Sequence, residues 1–280
     1  MSRCILGAAS AVLALVLAAQ QGTDPNLETG RPVRLHLGGG EKRGVRVAAQ
    51  AGDCLRIEVQ ADADLAVKTT LFDAMGKLVA VTPSLGGTGG VARIVAVAES
   101  AGELRLDVQS PMFRPDPLAA SVTLTERRPA TAEDRADAEG HREFAKAAAM
   151  AVTGTAGMRQ AIGALEKPIE LARRSGDLVL EMRATFGVGQ FYGTLAEQDG
   201  SLEGFQKSIG PFERALELCR KFGDARAESH VLSSLGQSYA NLERNREAVE
   251  WYRKALELQR STKWKQPSRG PAVALAPKIP

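Results

Sequence analysis

The spacing of apolar residues changes near residue 130, and with it the kind of element the chain predicts. Between residues 31 and 127, apolar and polar residues alternate in short runs broken by Gly-rich turns. Val33-Arg34-Leu35-His36-Leu37 ends at Gly38-Gly39-Gly40, and residues 45–49 alternate before Gly52-Asp53. Cys54-Leu55-Arg56-Ile57-Glu58-Val59-Gln60 repeats the pattern. Leu71-Phe72 then enters Asp73-Ala74-Met75-Gly76-Lys77, where Asp and Gly suit a short hairpin loop with Gly at positive φ. Residues 78–81, 91–98, 104–108 and 121–125 complete about eight strands with turns roughly every ten residues, the pattern of a β-sandwich.

From Thr131 the period becomes helical. Thr131-Ala132-Glu133-Asp134 has the layout of a capping box with acids in its first turn. Helical spacing persists to about Arg260, with Gly marking breaks near residues 154, 176, 200 and 223, and with Pro168 and Pro211 inside it. Residues 127–130 form the junction. Compared with itself, this half is repetitive. Arg174-Ser175-Gly176-Asp177 matches Lys221-Phe222-Gly223-Asp224, and Glu181, Gly189 and Tyr192 match Glu228, Gly236 and Tyr239, all at an offset of 47. Ala215-Leu216-Glu217-Leu218 matches Ala255-Leu256-Glu257-Leu258 at an offset of 40, which places an insertion of seven near residues 196–204. Residues 161–173 read as an earlier copy of the second helix, with Ile169-Glu170-Leu171 in register.

The last unit spaces Leu232, Leu235, Gly236, Tyr239, Ala248, Tyr252 and Ala255 in a way that resembles a tetratricopeptide repeat. Gly236, Ala248 and Ala255 allow two antiparallel helices to approach closely, and the tyrosines fill the space beside them. Ser208 and Pro168 depart from the small apolar residue this resemblance implies at their positions. It also implies that the first helix of each hairpin lines a concave, partner-binding side. Carried over residue by residue, that side consists of Arg183, Phe186 and Gln190, then His230, Ser233, Gln237 and Asn241. This is a mostly neutral hydrogen-bonding surface, suited to an extended peptide held through its backbone. Each hairpin leaves one side to be covered, so Val249, Tyr252 and Leu256 are expected on an open end. The tail, with Trp264 and residues 272–276, is one candidate cover, and self-association through the last repeat is another.

Composition supports a globular reading. Of 280 residues, 44% are hydrophobic and 25% charged, enough for a real core and too few apolar residues for a polytopic membrane protein. Basic and acidic residues number 36 and 33 and are scattered, which argues against a nucleic-acid binder. Residues 1–20 hold Arg3 and an unbroken small-apolar run, the layout of a secretory signal peptide cleaved after Ala18 or Ala19. The chain is therefore expected to be exported, periplasmic or extracellular. No membrane span is expected after cleavage. Cys54 and Cys219 are then the two cysteines left, and each sits in apolar context as a free buried thiol.

No catalytic constellation emerges, and no cofactor or metal is expected. Cys219 and His230 fall in successive helices without a supporting signature. Gly187-Val188-Gly189 follows no strand, and the Gly86 to Gly90 run lacks the Lys and helix of a phosphate loop. Asp62-Ala63-Asp64 reads as a solvated turn.

The whole layout resembles exported bacterial proteins in which a sandwich of the pre-peptidase C-terminal type precedes tetratricopeptide repeats. Leu71-Phe72-Asp73 with Gly76-Lys77, and residues 98–106 with Gly102 and Leu104, carry the sandwich part. The expected architecture is multi-domain β + α: a signal peptide (1–20), a β-sandwich (27–128), a short all-α solenoid of tetratricopeptide type (131–261) and an irregular tail (262–280). The expected function is non-catalytic binding of a protein or peptide. Two other readings stand beside it: the regulatory and targeting portion of a caspase-like peptidase of the CHAT type, and glycan binding by the sandwich. The second is weakened because Phe72 and Phe113 are the only aromatics from 31 to 127.

Overall fold

The computed structural model describes residues 24–61, 67–82, 91–111 and 117–261. The expected signal peptide, the Asp62-Ala63-Asp64 turn, the Gly86 to Gly90 loop, Phe113 and the tail with Trp264 lie outside the described residues. The described chain divides into two compact units at Arg135.

In the first unit, alternation becomes eight strands among the described residues: β1 (Val33–Leu37), β2 (Lys42–Ala49), β3 (Asp53–Ala61), β4 (Lys68–Phe72), β5 (Leu78–Thr82), β6 (Val91–Val97), β7 (Gly102–Gln109) and β8 (Leu118–Pro129). They form two antiparallel sheets, in the orders β1-β8-β3-β6 and β2-β7-β4-β5. Every second residue points inward, so Leu35 and Leu37, Leu55, Ile57 and Val59, and Ile94 from one sheet meet Val45, Val47, Leu71, Leu104 and Leu106 from the other in one cluster. The β4–β5 loop closes as its sequence predicts. The Asp73 carboxylate accepts from the amides of Met75 and Lys77, and Gly76 has φ 79°.

The helices are α1 (Ala132–Ala151), α2 (Thr155–Ala164), α3 (Glu166–Ser175), α4 (Leu178–Asp199), α5 (Leu202–Phe222), α6 (Ala225–Asn241) and α7 (Asn245–Ser261). The capping box at the start of α1 is present. The amide of Asp134 donates to Thr131 Oγ1 and the amide of Thr131 donates to Asp134 Oδ2. Asp134 is buried in the first unit, where it also accepts from Arg56 of β3 and Arg128 of β8. The Arg128 hydrogen bond, with help from Thr131 and Arg56, overcomes burial and holds its carboxyl well below the usual range.

Residues 161–173, read from sequence as one helix, are divided at Leu165 between α2 and α3. Pro168 explains the division: it has no N–H to donate to Ala164, and it fits the first turn of a new helix.

The repeated Gly-Asp pair has a local cause. Gly176 and Gly223 end α3 and α5 in the left-handed conformation, at φ 74° and 77°. The next residue caps the following helix. Asp177 accepts from the amides of Val179 and Leu180, and Asp224 from those of Arg226 and Ala227. Gly200 and Ser201 serve the α4–α5 turn in the same way. Within hairpins, the small residues lie at the close approaches. A Cβ on Gly189 would stand 2.7 Å from the Phe212 ring, and one on Gly236 would stand 2.8 Å from the Tyr252 ring. Tyr239 is buried and stacks on Trp251, with ring centroids 6.3 Å apart.

Candidate functional site

The candidate face belongs to α4 and α6, the first helices of the last two hairpins. His230 and Gln237 are exposed, while Gln190, Ser233 and Asn241 are half-buried. The Gln237 side-chain amide donates to Glu197 Oε1 of α4 at 2.8 Å, so the two helices share a polar link. Ser233 Oγ donates to the Ser229 carbonyl at 3.0 Å and Ser234 Oγ to the His230 carbonyl at 3.1 Å, which leaves their oxygens free to accept from a partner amide. The His230 ring packs on Phe186 with centroids 5.1 Å apart, and its desolvation lowers its pKa. That shift favours its neutral form, so the row on α6 is uncharged.

Two residues expected on this face are elsewhere. Arg183 and Phe186 are buried. Phe186 joins Met182, Phe212, Val231 and Leu235 in the core shared by the last two hairpins, with the Phe212 centroid 5.3 Å away. The physical reason is that α4 contributes to two cores, Met182 and Phe186 to one with Val231 and Leu235 of α6, and Leu180 and Ala184 to another with Phe144 and Ala147 of α1. Arg183 sits close enough to the caps Asp177 and Asp224 for its charge to pull both pKa values down, although burial still leaves that of Asp224 raised. Its charge thus serves the interior. Glu197, which the sequence reading passed over, joins the face through Gln237.

Ser208, which departs from the repeat pattern, is buried and satisfied. Its hydroxyl lies 2.8 Å from that of Ser238 and donates to the Phe205 carbonyl at 2.7 Å. The departure is thus compensated in pairs across α5 and α6.

A second polar cluster lies within the helical unit. His141 Nε2 of α1 stands 3.0 Å from Asp177 Oδ2 and 3.9 Å from Asp137 Oδ1. The ligand-type atoms of the three residues lie within 4.8 Å of one another, a metal-compatible spacing. Asp177 nevertheless spends Oδ1 on the α4 cap and Oδ2 on His141, so the cluster already has a structural task, tying α1 to the start of α4. Burial raises the Asp177 pKa, but His141, the Leu180 amide and Arg183 outweigh it and bring it to about 2.

The two thiols lie apart from any such chemistry. Burial pushes Cys54 up to about 11 and Cys219 up to about 12, and both are free. A thiol so protonated at pH 7 is a poor nucleophile.

A tetratricopeptide repeat family model matches residues 188–261. No curated protein matches the chain. Among solved structures, the tetratricopeptide repeat domain of Arabidopsis FLU is similar over 46% of this chain and 98% of its own, at 12% identity and TM-score 0.37. The pre-peptidase C-terminal domain of collagenase from Bacillus anthracis is similar over 36% of this chain and 92% of its own, at 13% identity and TM-score 0.28. PliG from Aeromonas hydrophila, a periplasmic inhibitor of g-type lysozyme, is similar over 36% and 95%, at 11% identity and TM-score 0.28. The fold class is the one expected from sequence: a β-sandwich followed by helical repeats of tetratricopeptide type. Such repeats point to protein–protein interaction. No helix among the described residues is long and apolar enough to cross a membrane.

Proposed function

We propose that the chain is a non-catalytic, exported interaction protein that holds an extended peptide segment of a protein partner against α4 and α6. The observation that carries this reading is the row His230, Ser233, Gln237 and Asn241, with Gln190 and Glu197 beside it. The row itself offers neutral donors and acceptors at a helix spacing that faces one side, and Glu197 adds one carboxylate. Backbone amides and carbonyls of a peptide match such a row better than a strongly acidic tail would, because that needs several Lys or Arg contacts.

The test starts with partner recovery on the immobilised full chain from an extract of the source cells, followed by the double change Gln190→Ala with Gln237→Ala. Neither side chain is in the core, so stability is expected to move by less than about 0.5 kcal/mol. Affinity for the recovered partner is expected to fall about tenfold, as for loss of two hydrogen bonds. Unaltered affinity would remove this face from consideration. Export is checked by N-terminal sequencing of the secreted protein, with Ala19 or Gln20 expected as its first residue.

A further inference from the structure

The joints between successive hairpins are built alike, and the outer face of α7 repeats their parts with no covering helix among the described residues. A shift of 40 residues aligns Ile209, Phe212, Leu216 and Arg220 of α5 with Val249, Tyr252, Leu256 and Arg260 of α7. On α5 the three apolar residues are 6%, 3% and 4% exposed and share a cluster with Val231, Leu232 and Leu235 of α6, the next helix. On α7 they are 56%, 39% and 51% exposed.

The charges repeat as well. Arg173 of α3 donates to Glu181 in the first turn of α4 at 2.9 Å, and Arg220 of α5 donates to Glu228 in the first turn of α6 at 2.7 Å. In each case the acid follows its arginine by eight residues. Arg260 holds the third such place. It is exposed and forms no ion pair among the described residues, and the residue eight further on is Ser268. Arg246 and Arg253 precede Arg260 at seven-residue steps, so the three form a row that flanks Val249 and Leu256.

We propose that the outer face of α7 docks one amphipathic α-helix from a partner polypeptide, laid as α6 lies on α5. Its aliphatic seam would cover Val249, Tyr252 and Leu256, and a carboxylate in its first turn would pair with Arg260. This surface is separate from the α4–α6 face, so the two readings stand or fall independently.

Charge selects this occupant over the other two. Residues 262–280 contain Lys263, Lys265, Arg269 and Lys278, no acid, and Pro267, Pro271, Pro277 and Pro280. That segment repels the arginine row and lacks the amides of a continuous helix. An antiparallel two-fold pairing of α7 with a second copy sets one arginine row against the other.

The experiment titrates the full chain against a fluorescein-labelled peptide of residues 224–241, the α6 sequence with Glu228 in its first turn, read by fluorescence anisotropy. Saturable binding is expected. Leu256→Arg, a change at an exposed position, is expected to weaken it by about tenfold or more with an unaltered thermal transition. Glu228→Arg in the peptide is expected to weaken it several-fold, with recovery in the Arg260→Glu protein. A peptide that fails to bind overturns the proposal, as does binding indifferent to Leu256→Arg, which would indicate displacement of α6 from α5. Binding only to a chain ending at Ser261 would make the tail the occupant. A dimer that Leu256→Arg dissociates in light scattering would make it a second copy. Either result overturns the partner helix.

Discussion

Gly189 and Gly236 hold equivalent places in successive hairpins, yet the rings they face differ in freedom to move. Phe212, against Gly189, is buried, whereas Tyr252, against Gly236, reaches solvent. Alanine gains about 1 kcal/mol over glycine in helix propensity. The sign of each substitution therefore depends on whether the ring can yield. Gly189→Ala is expected to lose about 1–2 kcal/mol net through overpacking. Gly236→Ala should stay within about 0.5 kcal/mol, because Tyr252 can swing outward. Parallel urea unfolding of the two variants decides, and equal losses would mean that ring freedom is irrelevant. Arg183 and Phe186 show where reading single residues failed. The repeat register placed them on the first helix correctly but could not say which sides of that helix are covered. A signal was present: residues 184–196 contain no charged residue, and a helix apolar on all sides is a buried one.

At the scale of elements, the repeated Gly-Asp pair was legible because both residues do local work, the glycine ending one helix and the aspartate starting the next. What surrounds each aspartate was not legible. Asp177 is bonded to His141 and its pKa is depressed to about 2. Asp224 goes the other way: burial raises its pKa against the pull of two amides, Arg226 and Arg183. The consequences for stability have opposite signs. A depressed pKa means that the Asp177 charge stabilises the fold above its unfolded pKa and that this contribution is lost as pH falls towards 2. A raised pKa means that the Asp224 charge opposes folding at neutral pH and that this opposition is relieved on acidification. Asparagine caps a helix as well as aspartate does but carries no charge. Asp177→Asn is therefore expected to cost about 1–2 kcal/mol at pH 7, and the deficit should shrink below pH 4. Asp224→Asn is expected to be neutral or stabilising at pH 7. Urea titrations at pH 7 and pH 3 measure both, and a common sign for the two variants would contradict the assignment.

For the molecule as a whole, each unit has a core drawn from its own elements, and the sandwich unit includes the first turn of α1. A fragment of residues 24–135 should therefore fold cooperatively, with a β-type circular dichroism spectrum. Ending it at residue 130 removes Asp134 from Arg56 and Arg128 and should cost about 1–3 kcal/mol at pH 7, the range for hydrogen bonds to a charged group. Because the Asp134 pKa is lowered on folding, the difference between the two fragments should narrow as pH falls below the ordinary aspartate range. A difference that does not vary with pH would remove Asp134 as its cause.

The sequence by itself determined which stretches form strands and which form helices, where the period changes, and the helix ends marked by Gly176, Gly200 and Gly223, but not the breaks at Leu165 and at residues 242–244. Those features rest on alternation, caps and glycines that act within a few residues of themselves. It also determined the repeat, because self-comparison needs no partner. The tertiary structure alone decided the strand order, since β3 lies between β6 and β8, and alternation states which face is buried without stating which strand lies alongside. It likewise decided that Ser208 and Ser238 satisfy each other and that Arg183 serves two caps. It also separated the buried stripe of α5 from the stripe of α7 that is exposed among the described residues. The two stripes share one spacing in the chain, and only the presence of a following helix in space distinguishes a core from a surface.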